Sequence, residues 1–435
     1  MKRLCRCGFV ICFVLTGSAL GQVVLSSYLG GAGEDKMTGA AVLGDGTIVV
    51  AGTMPDGELK PSDRIPRQDG RGDGILLRLS ADAKKVLSVT RLNGSIEDMD
   101  VDAEDNVYIT CSAGSAKLNG PTGRRFWQSN VGGEGARIAA GPEGCAAILA
   151  RKTVMLVESD GRLAKSWLVD ADHVNDIACD VNNELIFATG FHNRRGTPPG
   201  QKNYPVQVAF VYAYDYEGKK VWTAYDWKGQ EVADLRLMAD TRGYRLAMGA
   251  DGKLYLAGES AGGNTMWSRK SQDLKANLPL AKGDKYQVPY NTRANHITFV
   301  GRLDPRTGKT EAGTMLLARL SSGRGNTIRP RALAADESGR VYVGGASASY
   351  PPISDGAFGG DFEGGGAFFC VFDRDFKRVY ATKLCSGITA GIALGKKAIV
   401  VVGDGKGNLK TVNPFQAEPA GGKSDGWLVV FAERP

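Results

Sequence analysis

The chain is poor in the residues and motifs on which many enzyme and metal sites depend. Only three histidines occur among 435 residues, and they are dispersed, so neither a serine-histidine-aspartate triad nor a histidine-rich metal centre can be argued. No GxSxG, HExxH, Walker or EF-hand loop motif occurs. We therefore expect no cofactor, no metal site and no catalytic residue that a motif would identify.

Paired cysteines are also lacking. Of eight cysteines, three lie within the first 12 residues. The remaining five stand singly in or beside apparent strands. An odd number without CxxC spacing is neither a disulfide framework nor a zinc site. We expect buried free thiols at Cys111, Cys145, Cys179, Cys370 and Cys385.

Long apolar runs are absent after the first residues. Lys2, Arg3 and Arg6 precede an apolar run of eight residues, and small residues follow as far as Gly21. This pattern predicts a secretory signal peptide over 1–21, cleaved after Gly21. A membrane anchor is the alternative, but the run is too short to span a bilayer. We expect export to the periplasm, cell surface or medium, with no transmembrane segment in the mature chain 22–435.

What the chain does contain is a repeat. Seven times an apolar strand with a small residue at its centre is followed by a tight polar turn and a β-rich strand. LAMGADGKLYLAG (Leu246 to Gly258) and LAADESGRVYVGG (Leu333 to Gly345) are two copies. Strand-only units with a period of about 40 residues predict a β-propeller. The central positions are Ala41, Asp100, Ala139, Ala178, Ala247, Ala334 and Ala393.

A second strand pair follows each hairpin, so the predicted fold is all-β, with seven four-stranded blades. Examples of these strands C and D are Ile75–Ser80 with Val86–Arg91. The last blade has strands A, B and C but no strand D before the chain ends. Val23–Leu29 has the strand D pattern, so we expect it to pair with Trp427–Ala432 and close the ring. The six tryptophans do not recur once per blade, unlike those of quinone-dependent propeller enzymes.

Several of these segments resemble the bacterial SBBP-type β-propeller repeat. The resemblance is carried by SSYLGGAGED, GDGTIVVAGT, Pro351-Pro352, Gly356-Ala357-Phe358, Phe368–Asp373, NPFQ (Asn413–Gln416) and Asp425–Phe431. It implies a secreted or surface seven-bladed propeller. It implies no catalytic residues, so none is transferred to this chain.

The blades are unequal in length. Spacings between the central small residues run from 39 to 87 residues, and most of the excess falls between strands B and C. Because strands alternate in direction, these insertions should emerge on one face together with the links from D to A. Long loops are usually functional or mobile, although surface loops also accept additions at little cost. The insertions are 54–73, 191–205, 259–295, 346–366 and 404–425.

The insertions of blades four and five are rich in cations and aromatic rings. Each has a net charge of +3, against +4 for the whole mature chain. Arginines that clamp carboxylates or sulfates, beside rings that stack on sugars, suit an anionic polymer. The alternative is a solvated loop that lysines keep soluble. The candidate ligand-binding residues are Arg194, Arg195, Lys202, Tyr204, Trp267, Arg269, Tyr286, Tyr290 and Arg293.

Three functions remain open. The first is a non-enzymatic binding module for an acidic polysaccharide or a surface protein; export and modest charge argue against nucleic acid. The second is a polysaccharide lyase or hydrolase, in which arginine neutralises a uronate and tyrosine or histidine moves the proton. Its only candidate residues are His192, Arg194, Tyr290, Arg293 and His296. The third is a structural protein of the envelope or matrix.

Asp100 breaks the pattern of small central residues. Asp98, Asp100 and Asp102 alternate on one strand face, and a carboxylate near the axis needs a hydrogen-bond donor or a cation. Asp102 has counterparts in Asp180 and Asp336 and therefore belongs to the repeat. For Asp100 we favour a satisfied hydrogen bond over a metal ion.

Overall fold

The computed structural model describes residues 20–55, 67–68, 72–281, 296–322, 325–360 and 362–432. All but the last two residues of the predicted signal peptide lie outside these ranges. Within them, the longest helices are too short and too polar to cross a bilayer.

The predicted architecture is confirmed: seven four-stranded antiparallel sheets form a β-propeller. Strands A to D of blade 1 are Lys36–Val42, Ile48–Thr53, Gly74–Leu79 and Val86–Leu92. Those of blade 2 are Ile96–Val101, Asn106–Cys111, Gly114–Asn119 and Arg125–Ser129. Those of blade 3 are Arg137–Ala140, Ala146–Ala150, Thr153–Val157 and Leu163–Leu168.

The remaining four blades follow the same order. Blade 4 consists of His173–Asp180, Leu185–Gly196, Tyr204–Tyr214 and Lys220–Tyr225. Blade 5 consists of Thr241–Met248, Leu254–Ser260, Ile297–Leu303 and Thr310–Leu316. Blade 6 consists of Ile328–Ala335, Val341–Ser347, Gly366–Phe372 and Arg378–Lys383. Blade 7 consists of Gly387–Leu394, Ala398–Gly405, Asp425–Ala432 and the N-terminal strand Val23–Leu29.

The N-terminal strand closes the ring, as predicted. Val23–Leu29 pairs antiparallel with Asp425–Ala432, and Tyr28 lies opposite Trp427. The amide of Ala432 donates a 2.8 Å hydrogen bond to the carbonyl of Gln22. Each strand A contacts strand A of the next blade all round the ring, including blade 7 with blade 1. Strand A therefore lies nearest the axis in every blade.

Apolar residues fill the spaces between neighbouring blades. Each strand B is mostly apolar and mostly buried, as in Leu254–Ser260, because both of its faces pack against other sheets. Four of the five described thiols are buried as expected, and Cys145 is partly exposed.

Strand A carries a β-bulge near its start in six blades. Pairing with strand B slips by one residue there, but blade 3 pairs without a slip. A bulge redirects a side chain from the regular alternation. The extra residues are Thr38, Glu97, Asn175, Tyr244, Arg331 and Ala390.

We call the face that carries the B-to-C connections and D-to-A links the upper face, and the face with the A-to-B and C-to-D turns the lower face. The lower face has short turns capped by carboxylates. Asp336 accepts hydrogen bonds from two backbone amides, and Tyr342 donates to it at 2.9 Å. Asp102 with Tyr108 repeats this arrangement at 2.8 Å. These aspartates are part of the repeat, as predicted.

The expectation that the insertions elaborate the upper face needs correction. Four of them leave that face and run along the outer edge of strand D in their own blade. There they form hydrogen bonds with backbone groups of strand D that would otherwise be unpaired at the edge of the sheet. In blade 7, Val412 bridges to Ser26. In blade 6, Ser354 donates to the carbonyl of Ala381 at 2.9 Å. The equivalents in blades 1 and 5 are Arg67 opposite Val89 and Leu280 opposite Gly313.

Candidate functional site

The insertion of blade 4 differs from the other four because it extends its own sheet. Strands B and C stay paired as far as Gly196 opposite Tyr204, so the predicted loop 191–205 is mostly a β-hairpin. Helix Gly229–Asp234, in the link to blade 5, packs on this hairpin. Glycine permits the contact, since a Cβ atom on Gly196 would lie 2.2 Å from the carbonyl oxygen of Gly229. The hairpin is therefore a rigid part of the upper face.

His192 and Arg194 lie on this hairpin and share one carboxylate. His192 Nε2 is 3.3 Å and Arg194 Nη2 is 3.3 Å from Asp226 Oδ1. Tyr212 donates a 2.8 Å hydrogen bond to Asp226 Oδ2 and lies 2.8 Å from His192 Nε2. The predicted pair of His192 and Arg194 is thus brought together, around an aspartate that the sequence reasoning did not select.

The environment of His192 disfavours its charged form. The imidazole is 5 % exposed, and burial followed by the charge of Arg194 lowers its pKa, against the opposing effect of Asp226. Tyr225 and Asp226 have left-handed backbone angles, with φ of 65° and 39°. Two consecutive non-glycine residues in that region are strained, and such strain is most common at functional sites.

A chain of polar contacts links this cluster to blade 5. Asp172 Oδ2 lies 3.9 Å from His192 Nδ1 and accepts a 2.7 Å hydrogen bond from the amide of Asn193. Gln207 donates to the side chain of Asn193 at 3.1 Å, and Arg242 donates in turn to Gln207. The upper face of blades 4 and 5 therefore carries one continuous polar network.

Glu259 is the centre of the second cluster, which we call the Glu259 cluster: Arg242, Tyr244, Glu259, His296 and Arg329. Glu259 is completely buried at the end of strand B. Its Oε1 accepts hydrogen bonds from Arg242 and, at 2.8 Å, from Tyr244, and it lies 3.3 Å from His296 Nδ1. Its Oε2 lies 3.7 Å from Nε of Arg329 in blade 6.

The Glu259 cluster holds its carboxylate ionised. Burial alone would raise the pKa of Glu259, but the close contact with His296, the hydrogen bond from Tyr244 and the positive charges nearby lower it to about 2. Burial, together with the charge of Glu259, raises the pKa of Tyr244 to about 12. Tyr244 is therefore a proton donor to Glu259 near neutral pH and is not poised to act as a base.

Nearer the axis, charges alternate in sign from blade 2 to blade 5. Asp98, Arg137, Asp176 and Arg245 each stand two residues before the central small position of strand A. Arg137 Nη1 lies 3.5 Å from Asp98 Oδ1, and although burial opposes its charge, Asp98 and Asp176 raise the pKa of Arg137. Burial, with the charge of Arg137, lowers the pKa of Arg245 to about 10.

Asp100 is satisfied by backbone hydrogen bonds, which supports the interpretation favoured from the sequence. Its Oδ2 accepts from the amide of Ala140 in blade 3 at 2.8 Å, and its Oδ1 accepts from Val101 at 2.8 Å. Among the described residues, no three metal-binding side chains come together.

The structure does not bring the other predicted ligand-binding residues together. Arg195, Lys202 and Tyr204 are exposed on the blade 4 hairpin. Trp267 is fully buried, stacks on Phe299 at 4.7 Å and donates to the carbonyl of Glu259, so its ring has no free face for a sugar. Tyr286, Tyr290 and Arg293 lie outside the described residues.

Arg269 is separated from the upper face. Its Nη1 donates to Asn277 at 2.5 Å within a short hairpin. At the turn of that hairpin, Ser271 donates to the carbonyl of Gly308 at 2.6 Å, and Gly308 belongs to a lower-face turn. Arg269 therefore lies along the outer edge of blade 5.

The positive charge of the blade 4 hairpin is partly offset. The adjoining link 226–240 holds four acidic and two basic residues, and one of the acids, Asp226, pairs with Arg194. Further round the face, Arg329 and Arg331 at the start of blade 6 are both exposed. The sequence reasoning missed Arg329 and Arg331. The signal for them was a pair of arginines, separated by one proline, at the start of a predicted strand.

The fold assigns the chain to the seven-bladed β-propellers. No protein-family model and no curated protein matches it, so the resemblance to the SBBP-type repeat stays a prediction. Solved structures do match. A chain of hydrazine synthase from Kuenenia stuttgartiensis is similar with a TM-score of 0.51 and 10 % identity, over 91 % of this chain and 96 % of that one. At this identity the likeness shows the fold alone, and propellers serve many functions.

Proposed function

We propose that the protein is an exported binding module whose upper face, at blades 4 to 6, contacts an anionic partner such as an acidic polysaccharide or a surface protein. The observation that carries this proposal is the set of arginines that stand on this face in blades 4 and 6. Arg195, Arg329 and Arg331 are exposed, and Arg194 is 38 % exposed beside Asp226. Guanidinium groups bind carboxylate and sulfate through paired hydrogen bonds.

Export is part of the proposal and rests on the pattern of 1–21. Buried thiols that form no disulfide suit either side of a membrane, so they do not weigh on it. A fusion of 1–21 to a reporter enzyme, compared with a variant in which the apolar run is broken by charges, tests export directly. Retention of the reporter inside the cell would contradict it.

The partner is tested by retention of the purified protein on immobilised acidic polysaccharides at low salt. We expect retention of the wild type and at least about tenfold weaker binding of the double variant Arg329→Ala/Arg331→Ala. The matched control is Arg306→Ala/Arg374→Ala, which removes two exposed arginines from lower-face turns of blades 5 and 6. An equal loss of retention in both double variants would contradict binding at this face. If the wild type is not retained, the proposal of a glycan partner is wrong.

A lyase or hydrolase on the same face is the second candidate from the sequence. A lyase needs a base beside an arginine. His192 stands beside Arg194, but it is only 5 % exposed and its Nε2 contacts Tyr212; Tyr290 and Arg293 lie outside the described residues. The same polysaccharide incubations decide between the two, because a lyase would leave unsaturated sugar ends that absorb in the ultraviolet. We expect none.

A further inference from the structure

Glu259 has one carboxylate oxygen without a donor. Oε1 accepts hydrogen bonds from Arg242 and Tyr244. Among the described residues, Oε2 has no hydrogen-bond partner, and His296 Nδ1 has none either. A buried ionised oxygen without a donor is rare in native proteins and costs free energy. This atom therefore points to a donor that the described residues do not supply.

Arg329 is held loosely beside that oxygen. Its Nε is 3.7 Å from Oε2, beyond hydrogen-bond distance, and its side chain is 49 % exposed. Within the described part of the chain, the ion pair with Glu259 is its one recorded side-chain interaction. A guanidinium has five donors, and most of those on Arg329 are available to a ligand. Because no hydrogen bond restrains it, Arg329 is able to turn outward and uncover Oε2.

The two side chains together define a ligand. Arg329 offers donors that match a carboxylate, whereas Glu259 Oε2 offers an acceptor that requires a hydroxyl donor. The anionic group of a ligand supplies acceptors only, so the donor to Oε2 has to be a hydroxyl close to it on the same unit, and a neutral sugar has no charge for Arg329. A hydroxy acid, in which a hydroxyl and a carboxylate lie on one small unit, satisfies both.

We propose that Glu259 and Arg329 form a subsite for a uronic acid unit, with Arg329 binding the carboxylate and Glu259 Oε2 accepting from a neighbouring hydroxyl. This proposal rests on the binding function above and names the substrate class of that face. His296 borders the subsite: its side chain is 20 % exposed, and its Nδ1 lies 3.3 Å from Glu259 Oε1.

Calorimetry with three probes tests the subsite: a galacturonic acid trimer, its methyl ester and a sulfated trisaccharide without carboxylates. We expect the trimer to bind about tenfold more tightly than either of the others, as one charged hydrogen bond would give. Glu259→Gln should lose about tenfold for the trimer and leave the sulfated probe unchanged. Arg329→Ala should weaken the binding of both the trimer and the sulfated probe, whereas Arg306→Ala should change the binding of neither.

The outcomes separate this proposal from the broader one. Equal binding of trimer and sulfated probe, unaffected by Glu259→Gln, would overturn the uronate subsite and leave an anion-binding face. Binding of neither probe would overturn the glycan function as well. Should Glu259→Gln fail to fold, the wild-type comparison still decides, because a methyl ester bound as tightly as the free acid contradicts the subsite.

Discussion

Asp176 in blade 4 accepts, through Oδ2, a 2.8 Å hydrogen bond from the backbone amide of Leu246 in blade 5. Asp98 in blade 2 makes the same contact with the next blade. It accepts a 3.0 Å hydrogen bond from the amide of Ile138 in blade 3. Carboxylates on strand A thus join successive blades near the axis, in the half of the ring that also carries the polar network of the upper face. At the corresponding positions of blades 6, 7 and 1 stand Ala332, Gly391 and Gly39.

Loss of the Asp176 carboxylate should destabilise the fold strongly. Asp176→Ala leaves the Leu246 amide without an acceptor and removes one of the two carboxylates, Asp176 and Asp98, that favour the charge of Arg245. Asp176 is only 6 % exposed. Removing one partner of a buried charge pair costs about 3 kcal/mol or more. Urea unfolding measures the loss, with the exposed Asp355→Ala as control, expected within about 0.5 kcal/mol of wild type. An equal effect of both substitutions would contradict the role of Asp176.

Stability should depend on pH through Asp100. Burial raises its pKa from 3.8 to about 6, against the opposing effect of its hydrogen bonds. The folded protein therefore holds this proton more tightly than the unfolded chain. Its contribution is fully present below pH 4 and is lost as pH rises through 6, by about 3 kcal/mol.

Asn at this position keeps an acceptor for the amide of Ala140 and carries no titrating proton. Asp100→Asn should match the wild type at pH 3.5 and exceed its melting temperature at pH 8. Melting curves at both values check this. Parallel pH profiles for the two proteins would show that Asp100 does not titrate in this range.

The tyrosines of the lower face should contribute similar amounts of stability in each blade where they occur. Tyr342→Phe removes the donor to Asp336 and should lower the free energy of unfolding by about 1.5 kcal/mol, typical for a hydrogen bond to a charged group. Tyr108→Phe, which removes the donor to Asp102, should behave alike. Tyr350→Phe, whose ring is 44 % exposed, is the control, and denaturant titration distinguishes them.

Ring closure predicts the behaviour of a circular permutant. Joining Ala432 to Gln22 by a short linker and opening the chain at Gly30 turns the last blade into an ordinary hairpin of strands C and D. The permutant should melt within a few degrees of the wild type. Deletion of 22–29 should abolish cooperative melting, because strand Asp425–Ala432 would lose its partner. A stable deletion variant would contradict closure by the N-terminal strand.

The strands were largely predictable, because alternation and the repeat both indicate them; Val23–Leu29 has the predicted bounds. The blade 4 hairpin was not, since NRRGTPPGQKN is polar and rich in glycine and proline although it continues a sheet. The edge-covering insertions pair through backbone groups, which leave no mark on side-chain pattern. Glu259 could not be selected, because Arg329 reaches it only when blades 5 and 6 are assembled.

The central claim is that the upper face at blades 4 to 6 receives the anionic partner. Modification of arginines by phenylglyoxal, read by mass spectrometry with and without a galacturonic acid oligomer, tests it most directly. The account predicts that the oligomer protects Arg329 and Arg331 and leaves Arg306 and Arg374 on the lower face as reactive as before. Protection of the lower-face pair, or of all four equally, would contradict it.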